Sequence, residues 1–343
     1  MKVDYVQYCM EETKKLLAID SPTGYTANAV EYLIEQYRAM GYEPVRTRKG
    51  GILTELGGNG KDAVLLQAHT DTLGAMVCDI LPNGRLRLSP LGGLNPNNTE
   101  AENCHVITRD GKRIDGTFQI EDASIHVNDD YNEIKRDFSH MEVVLDAMTE
   151  SREETEKLGI QPGDIVCFEP RTRITDTGYI KSRFLDDKLS VGILLGYARY
   201  LKEENVTPFR KVYQHITVYE EVGHGGSATV PSDVQDILCV DMGCVGEGLG
   251  CDEKKVSICA KDSRGPYSYE LVGELIAAAK KADLNYAVDV YPHYGSDAEA
   301  ALAAGYDVRH GLIGAGVYAS HGYERSHREG VRNTFLLLKE YLG

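Results

Sequence analysis

The spacing of apolar residues predicts two helices at the start of the chain and a buried strand after them. Apolar side chains recur at helical intervals over residues 4–17 and 26–40, and the turn Ser21-Pro22-Thr23-Gly24 separates the two segments. Residues 63–68 form a short apolar run that ends in polar residues, which is typical of a buried parallel strand. The beginning of the chain therefore predicts an α/β architecture.

The pattern changes between about residues 76 and 169, where short β-like runs alternate with turn signals. One helix is expected within this segment, over residues 132–149. A structureless excursion of this length is rare, so we expect a small β-rich domain inserted into the α/β domain. The expected strands lie at residues 77–81, 105–108, 118–120 and 164–168. The expected domain boundaries are 1–75 and 173–343 for the two parts of the α/β domain and 76–172 for the insert.

The alternation of helical and strand patterns resumes after residue 186. The expected helices lie at residues 188–202, 268–282 and 329–342, and the expected strands at 211–219, 237–240, 289–291 and 308–312. The chain as a whole therefore predicts the α/β fold class.

Composition and charge indicate which kinds of partner the chain does not bind. The chain has 343 residues and a formal net charge of −16, with no basic stripe that would suit nucleic acid. No apolar run is long enough to span a membrane, and the first residues lack the apolar core of a signal peptide. The eight cysteines are scattered without Cys-x-x-Cys pairs, which favours reduced thiols. We therefore expect a cytoplasmic protein without a membrane or nucleic-acid partner.

Acidic residues and a histidine follow three of the predicted strands. One apolar run ends in His69 and Asp71, a second in Glu220 and Glu221, and a third in Asp241. Ligands of open α/β sheets bind beyond the carboxyl ends of strands, so these side chains are expected at one edge. Imidazole and carboxylate oxygen are the usual ligands of zinc and of the metals that replace it. The pattern therefore predicts a carboxylate-rich metal centre.

Two further positions complete the candidate ligand set. The acid pair Asp186-Asp187 precedes a predicted helix whose N-terminus could lie near the sheet edge, and His321 follows the last apolar stretch. Sequence alone does not separate Asp186 from Asp187, and His327 competes with His321. His224 could line the substrate pocket, but a turn histidine is at least as consistent with the glycines around it.

The two adjacent glutamates predict two different roles, one as a metal ligand and one as a general base. Five ligands suit two metal ions if one carboxylate bridges them, and ions about 3.5–4 Å apart lower the pKa of a shared water. One acid must then stay off the metals, take the proton of that water and pass it to the leaving nitrogen. Glu221 is therefore expected as a ligand and Glu220 as the general base.

The motifs, taken in order, resemble the signature of a known enzyme family. They are His69-Thr70-Asp71, Leu185-Asp186-Asp187-Lys188, Glu220-Glu221-Val222-Gly223, Val240-Asp241, Tyr294-Gly295-Ser296-Asp297-Ala298 and His321. Their order and spacing resemble, over essentially the whole chain, the tetrahedral aminopeptidases, which include glutamyl and deblocking aminopeptidases and some members labelled endoglucanases. The residues before His321 depart from the Arg-Tyr-x-His that relatives often carry.

By position, the resemblance implies two metal sites that share one carboxylate. One ion would lie between His69, Asp186 and Asp241, and the other between Asp186, Glu221 and His321. Glu220 would act as the general base, and Asp71 would orient the imidazole of His69.

The resemblance also implies a fold and an assembly. The expected fold is a zinc-peptidase-like α/β/α catalytic domain with a mixed sheet, plus a barrel-like insert through which dimers assemble into dodecamers. We therefore expect an aminopeptidase that uses two divalent ions, zinc first and cobalt or manganese otherwise, on short peptides. The alternatives are another dinuclear hydrolase, such as an N-acyl amidohydrolase or a glycosidase, and a non-catalytic assembly protein on the same scaffold.

Overall fold

The computed structural model describes residues 3–343, which fall into two units. One unit contains the described residues up to Asp71 together with Arg171–Gly343, and the other is Thr72–Pro170. The helices are α1 (Tyr5–Leu17), α2 (Ala27–Ala39), α3 (Arg152–Lys157), α4 (Leu185–Glu203), α5 (Tyr269–Lys281), α6 (Asp297–Ala303) and α7 (Arg328–Leu342). Within residues 3–343, no helix is both long enough and apolar enough to cross a membrane.

The strands are numbered along the chain and belong to one sheet in each unit. In the larger unit they are β1 (Val45–Arg46), β2 (Ile52–Gly57), β3 (Ala63–His69), β10 (Arg173–Ile174), β11 (Tyr179–Ser182), β12 (Val212–Thr217), β13 (Val234–Val240), β14 (Gly243–Val245), β15 (Val256–Lys261), β16 (Tyr286–Val290), β17 (Arg309–Tyr318) and β18 (Glu324–His327). In the smaller unit they are β4 (Gly74–Ile80), β5 (Leu86–Leu91), β6 (Glu102–Ile107), β7 (Arg113–Ile120), β8 (Met141–Leu145) and β9 (Ile165–Phe168). Short 3-10 helices lie at Pro96–Asn98 and Glu220–Val222.

The larger unit is built on a 12-stranded mixed sheet whose main order is β1-β2-β12-β3-β13-β17-β18-β11-β10. At its centre β12, β3, β13 and β17 run parallel, whereas β2 and β15 pair with this group in the antiparallel sense. Every residue of β3 and β12 is buried, which agrees with the uninterrupted apolar runs in their sequences. The carboxyl ends of the three neighbours β12, β3 and β13 therefore meet at one edge.

Helices cover both faces of this sheet, as two consecutive residues of β12 show. Gln214 accepts a hydrogen bond from Tyr37 of α2 at 2.6 Å and donates to the Leu194 carbonyl of α4 at 3.0 Å. The Nδ1 of the next residue, His215, lies 3.3 Å from the side chain of Gln67. Gln67 accepts a hydrogen bond from the thiol of Cys239, and the sulfur of Cys239 accepts the backbone N–H of Ala298 in α6. Successive side chains of a strand point to opposite faces, so α2 and α4 lie on one face and α6 on the other.

The smaller unit is a closed antiparallel barrel of six strands in the order β4-β5-β8-β7-β6-β9. The large mixed sheet and the separate barrel confirm the expected fold class. The helix expected over residues 132–149 is wrong, because Met141–Leu145 forms β8 and the residues before it form turns. β8 pairs with both β5 and β7 and so completes the barrel. Tertiary pairing of this apolar segment, which contains Val143 and Val144, overrides its helical spacing.

Candidate metal centre

Three adjacent strands bring the predicted strand-end residues to one edge of the sheet. His69 is the last residue of β3, and Asp241 directly follows β13. Glu220 and Glu221 follow β12 and begin the short 3-10 helix there. The chain leaves these parallel strands at the same edge, so strand order and local sequence together place the four side chains.

Asp186 reaches the centre from the start of α4. Phe184 precedes this helix with a positive φ of 68°, and the peptide bond between Asp186 and Asp187 is cis. Asp186 Oδ1 lies 3.1 Å from His69 Nε2, and Asp186 Oδ2 lies 3.5 Å from His321 Nε2. His321 Nε2 is also 3.6 Å from Glu221 Oε2. Each oxygen of Asp186 thus faces a different histidine, which is the arrangement that a bridging carboxylate needs.

Asp187, the alternative to Asp186, makes different contacts. Its Oδ2 accepts a hydrogen bond from the backbone N–H of His69 at 3.2 Å. Its Oδ1 is buried and has no hydrogen-bond partner among residues 3–343. The ligand atoms of Asp187, His69 and Asp241 lie within 4.8 Å of one another, as do those of Asp186, His69 and Glu221. Both acids can therefore contribute to a cation site, but Asp186 lies next to both histidines.

His69 is oriented by the backbone of Asp71. The Nδ1 of His69 lies 2.9 Å from the carbonyl oxygen of Asp71, which can only accept, so Nδ1 carries the proton. The lone pair of the neutral ring is then on Nε2, the nitrogen near Asp186. The Asp71 carboxylate is farther from Nδ1, at 3.5 Å, and accepts the backbone N–H groups of Glu220 and Glu221 at 3.2 and 3.3 Å. Asp71 therefore supports the histidine and both glutamates.

Burial sets the charge state of the acids. Burial, reinforced by nearby Asp186, raises the pKa of Asp241 to about 7. Burial likewise raises the pKa of Glu220 and of Glu221 well above the ordinary value of 4.5. Burial opposes ionisation of Asp186 as well, but the adjacent imidazoles of His321 and His69 favour its charged form and hold the pKa of Asp186 below its ordinary value. A buried cluster of this kind is favourable only when protons or cations neutralise it.

The donor set fits divalent cations. Glu221 Oε1 is buried and lacks a hydrogen-bond partner among the described residues, as Asp187 Oδ1 does. Unpartnered buried carboxylate oxygens beside two imidazole nitrogens are the donors that zinc and related metals take.

A cavity of about 420 Å³ opens beside these residues. Asp186, Glu221 and Asp241 line one part of it, and Arg264, Tyr294 and Ser320 are also among its lining residues. The cavity is large enough to hold part of a short peptide next to the acid cluster.

Two buried acids at the centre, Glu324 and Asp297, could not be identified from their spacing along the sequence. Glu324 accepts the backbone N–H of Asp186 at 3.0 Å and that of His321 at 2.9 Å. Asp297 accepts a hydrogen bond from the backbone of Gly226 at 2.5 Å. The segment around Asp297 could have been found only by family resemblance, and nothing in the sequence around Glu324 distinguishes it from other single acids.

His327, the competitor of His321, and His224, the candidate pocket residue, have other contacts. The ring of His327 lies 2.9 Å from the Thr177 carbonyl oxygen through Nε2, and its Nδ1 accepts the N–H of Glu329 at 3.0 Å at the start of α7. The ring of His224 stacks on Tyr219 with centroids 5.2 Å apart. The geometry therefore favours His321 as the ligand at this end of the cluster.

Comparison with known proteins points to one family. The model of the family described as M42 glutamyl aminopeptidase matches residues 50–337. A Bacillus subtilis (strain 168) protein with the name "Putative aminopeptidase YhfE" is 42% identical over 338 residues, which are 98% of each chain.

Solved structures show the same fold. A TET aminopeptidase from the marine sediment archaeon Thaumarchaeota archaeon SCGC AB-539-E09 superposes with a TM-score of 0.87 at 20% identity, covering 97% of this chain and 96% of the other. The Pyrococcus horikoshii TET1 peptidase, described as able to assemble into a tetrahedron or a large octahedral shell, gives a TM-score of 0.84 at 23% identity, covering 97% and 98% of the two chains.

Proposed function

The chain belongs to the M42 family of glutamyl aminopeptidases, and we propose that it is a two-metal aminopeptidase that removes N-terminal residues from short peptides. Family membership makes it a peptidase, a hydrolase of peptide bonds. The observation that carries the two-metal proposal is the position of Asp186, whose oxygens lie 3.1 and 3.5 Å from two different histidines.

In this proposal His69, Asp186 and Asp241 would hold one ion, and Asp186, Glu221 and His321 would hold the other. Zinc is the expected metal, with cobalt and manganese as alternatives that suit the same nitrogen and oxygen donors. The chemistry that such ions supply when bound is Lewis acidity, which polarises the scissile carbonyl and eases deprotonation of water.

Glu220 is the proposed general base. Its Oε2 lies 3.7 Å from His69 Nε2, which places the carboxylate at the centre, and Glu220 belongs to neither of the groups of ligand atoms that lie within 4.8 Å of one another there. Burial raises the pKa of Glu220, which makes its carboxylate a stronger base once ionised. Glu220 would take a proton from water at Oε2 and deliver it to the nitrogen of the leaving amine.

The acids of the cavity also suit the free amino group of a peptide. An ammonium group is attracted to a cavity lined by carboxylates, whereas an acylated N-terminus carries no such charge. This difference separates an aminopeptidase from an N-acyl amidohydrolase on the same centre.

The experiment is an assay of Glu220→Gln and the parent enzyme on a panel of aminoacyl anilides. We expect kcat of the variant to fall by about 10²–10⁴-fold, with two metals per subunit retained, because only the proton acceptor is lost. The parent should lose activity on chelation and recover it when metal is restored. N-acetylated anilides are the matched control and should not be cleaved. Near-normal turnover by Glu220→Gln would refute the base assignment.

We also propose that the protein is a closed homo-oligomer of twelve subunits that acts in the cytoplasm. The barrel unit contains none of the proposed metal ligands, and the related Pyrococcus horikoshii peptidase is described as a tetrahedral or octahedral assembly. Closed symmetric assemblies are the usual form of soluble homo-oligomers. All eight cysteines are free thiols, which supports a reducing compartment.

A further inference from the structure

A buried aspartate outside the proposed ligand set joins the strand and the turn on either side of Glu220. Asp297 begins α6 and is only 3% exposed. Its Oδ2 accepts a hydrogen bond from the hydroxyl of Thr217, the last residue of β12. Its Oδ1 accepts the backbone N–H of Gly226 at 2.5 Å. Thr217 precedes Glu220 and Gly226 follows it, so one carboxylate holds both ends of the segment that carries the proposed base.

Two glycines let the turn approach Asp297 this closely. A Cβ on Gly225 would lie 2.4 Å from Asp297 Oδ1, and a Cβ on Gly226 would lie 2.2 Å from the Asp297 carbonyl oxygen. Both distances are far below van der Waals contact, so a larger residue would push the turn away from α6. The same Cβ on Gly225 would lie 2.9 Å from the backbone nitrogen of Glu220. The turn is therefore packed between Asp297 and the backbone of Glu220.

Lys49 holds the same turn through its carbonyl groups. Its Nζ donates to the carbonyl of His224, to that of Gly225 at 3.1 Å and to Ser227 Oγ at 3.0 Å. The turn is closed internally by a hydrogen bond of 2.6 Å from the Gly223 N–H to the Glu220 carbonyl. A carboxylate at an N–H group and an ammonium at carbonyl groups make charge-assisted bonds, which are the stronger kind. The turn is thus held by Asp297 of α6, by Lys49 from the turn between β1 and β2, and by its own backbone.

We propose that Asp297 is a positioning residue that fixes the carboxylate of Glu220 for proton transfer. The inference rests on the proposed function, in which Glu220 is the general base. Proton transfer needs heavy atoms about 2.6–3.2 Å apart, and a displacement of about 1 Å can cost 10²-fold in rate. Asp297 meets this requirement through the backbone of the turn, without contact to the reacting atoms.

The test measures kcat, KM and metal content of metal-replete, full-length variants. Asp297→Ala removes both hydrogen bonds, so we expect kcat to fall by about 10²-fold while KM and metal content stay unchanged. Asp297→Asn keeps an acceptor for the Gly226 N–H and offers its amide hydrogens to the hydroxyl of Thr217, and should keep most of kcat. Gly226→Ala displaces the turn while Asp297 is intact, and should lower kcat as Asp297→Ala does.

The matched control is Glu299→Gln. Glu299 is a buried acid on the same helix, 7% exposed, and its carboxylate lies 3.7 Å from His310 Nε2. This variant should leave kcat unchanged. A loss in Glu299→Gln equal to that in Asp297→Ala would overturn the proposal, because the effect would then belong to α6 as a whole.

Parent-like kcat in Asp297→Ala, or loss of metal together with kcat, also overturns the proposal. If Asp297→Ala does not fold, Gly226→Ala and Thr217→Val carry the same expectation, and unchanged kcat in both would refute it. Glu220→Gln distinguishes a failure of the base assignment from a failure of the positioning role. Activity in Glu220→Gln refutes the base itself, whereas an inactive Glu220→Gln beside a fully active Asp297→Ala refutes only the positioning role.

Discussion

At the scale of single residues, the proposed two-metal centre depends on Asp186 as the bridging carboxylate. Its two oxygens lie near His69 and His321 separately, so Asp186→Asn should weaken both sites. His321→Ala should mainly empty one site, because His321 lies at only one end of the cluster. Metal analysis of the dialysed variants, together with the parent, measures the difference.

Asp187→Asn is the matched variant for this experiment. Asp187 accepts the backbone N–H of His69, and its ligand atom also lies within reach of Asp241. If Asp187→Asn removes both metals and Asp186→Asn does not, the bridging carboxylate is Asp187 and not Asp186. Only the tertiary structure separates these neighbours, because their side chains have the same chemistry and adjacent positions in the sequence.

At the scale of elements, the packing of α1 on α4 depends on two glycines of α4. A Cβ on Gly196 would lie 2.2 Å from the sulfur of Cys9, and a Cβ on Gly192 would lie 2.2 Å from Thr13 Oγ1. Gly196→Ala should therefore lower the free energy of unfolding by about 1–3 kcal/mol through overpacking. Thermal or urea unfolding measures this change.

Gly273→Ala in α5 is the control for that substitution. Nothing lies within 4 Å of a Cβ at Gly273, so alanine should raise stability by about 0.5–1 kcal/mol through reduced backbone entropy of the unfolded chain. Equal effects of the two substitutions would contradict the close approach of α1 and α4.

A buried ion-pair cluster joins β13 to β17 near the edge of the sheet opposite the proposed metal centre. Asp236 accepts from Arg309 at 2.7 and 2.8 Å and also from Arg210. Burial raises the pKa of Asp236, but the bonds from Arg309 and Arg210 outweigh it and hold the pKa below the ordinary value of 3.8. Because the folded pKa is the lower one, this stabilisation is complete above about pH 3.8 and is lost as pH falls through the folded pKa.

Asp236→Asn should therefore destabilise the fold by about 2 kcal/mol near neutral pH, the typical value of hydrogen bonds to charged groups. The difference from the parent should shrink under acid conditions, where the parent loses the same charge. Asp233→Asn is the control, since Asp233 pairs with Lys211 near the surface and such pairs contribute about 0–1 kcal/mol. Unfolding curves at several pH values test both, and a constant difference across pH would contradict the linkage.

At the scale of the whole molecule, the proposed assembly predicts a mass of about twelve chains. Light scattering on the metal-replete protein measures it, and the mass should persist at micromolar concentrations because closed interfaces are mutually supporting. A monomer under these conditions would refute the assembly proposal and leave the catalytic proposal intact.

The sequence by itself determined the α/β class, the switch to a β-rich segment and the candidate residues of the proposed metal centre. Apolar runs that end in His69, in Glu220 and Glu221, or in Asp241 carry this information locally, because a parallel strand delivers whatever follows it to one edge. The helix expected over residues 132–149 failed because β8 is stabilised by its partners β5 and β7, which lie far away in sequence.

Only the tertiary structure decided how the centre is held together. Asp71 supports both glutamates through its side chain and His69 through its backbone, although its place in a His-x-Asp motif indicated only the histidine. Glu324 reaches the centre from the start of β18 and Asp297 from the start of α6, and each accepts backbone N–H groups, which nearly every residue offers. Side chains that bind backbone leave no pattern of partner residues, so their roles become visible only when the chain is folded.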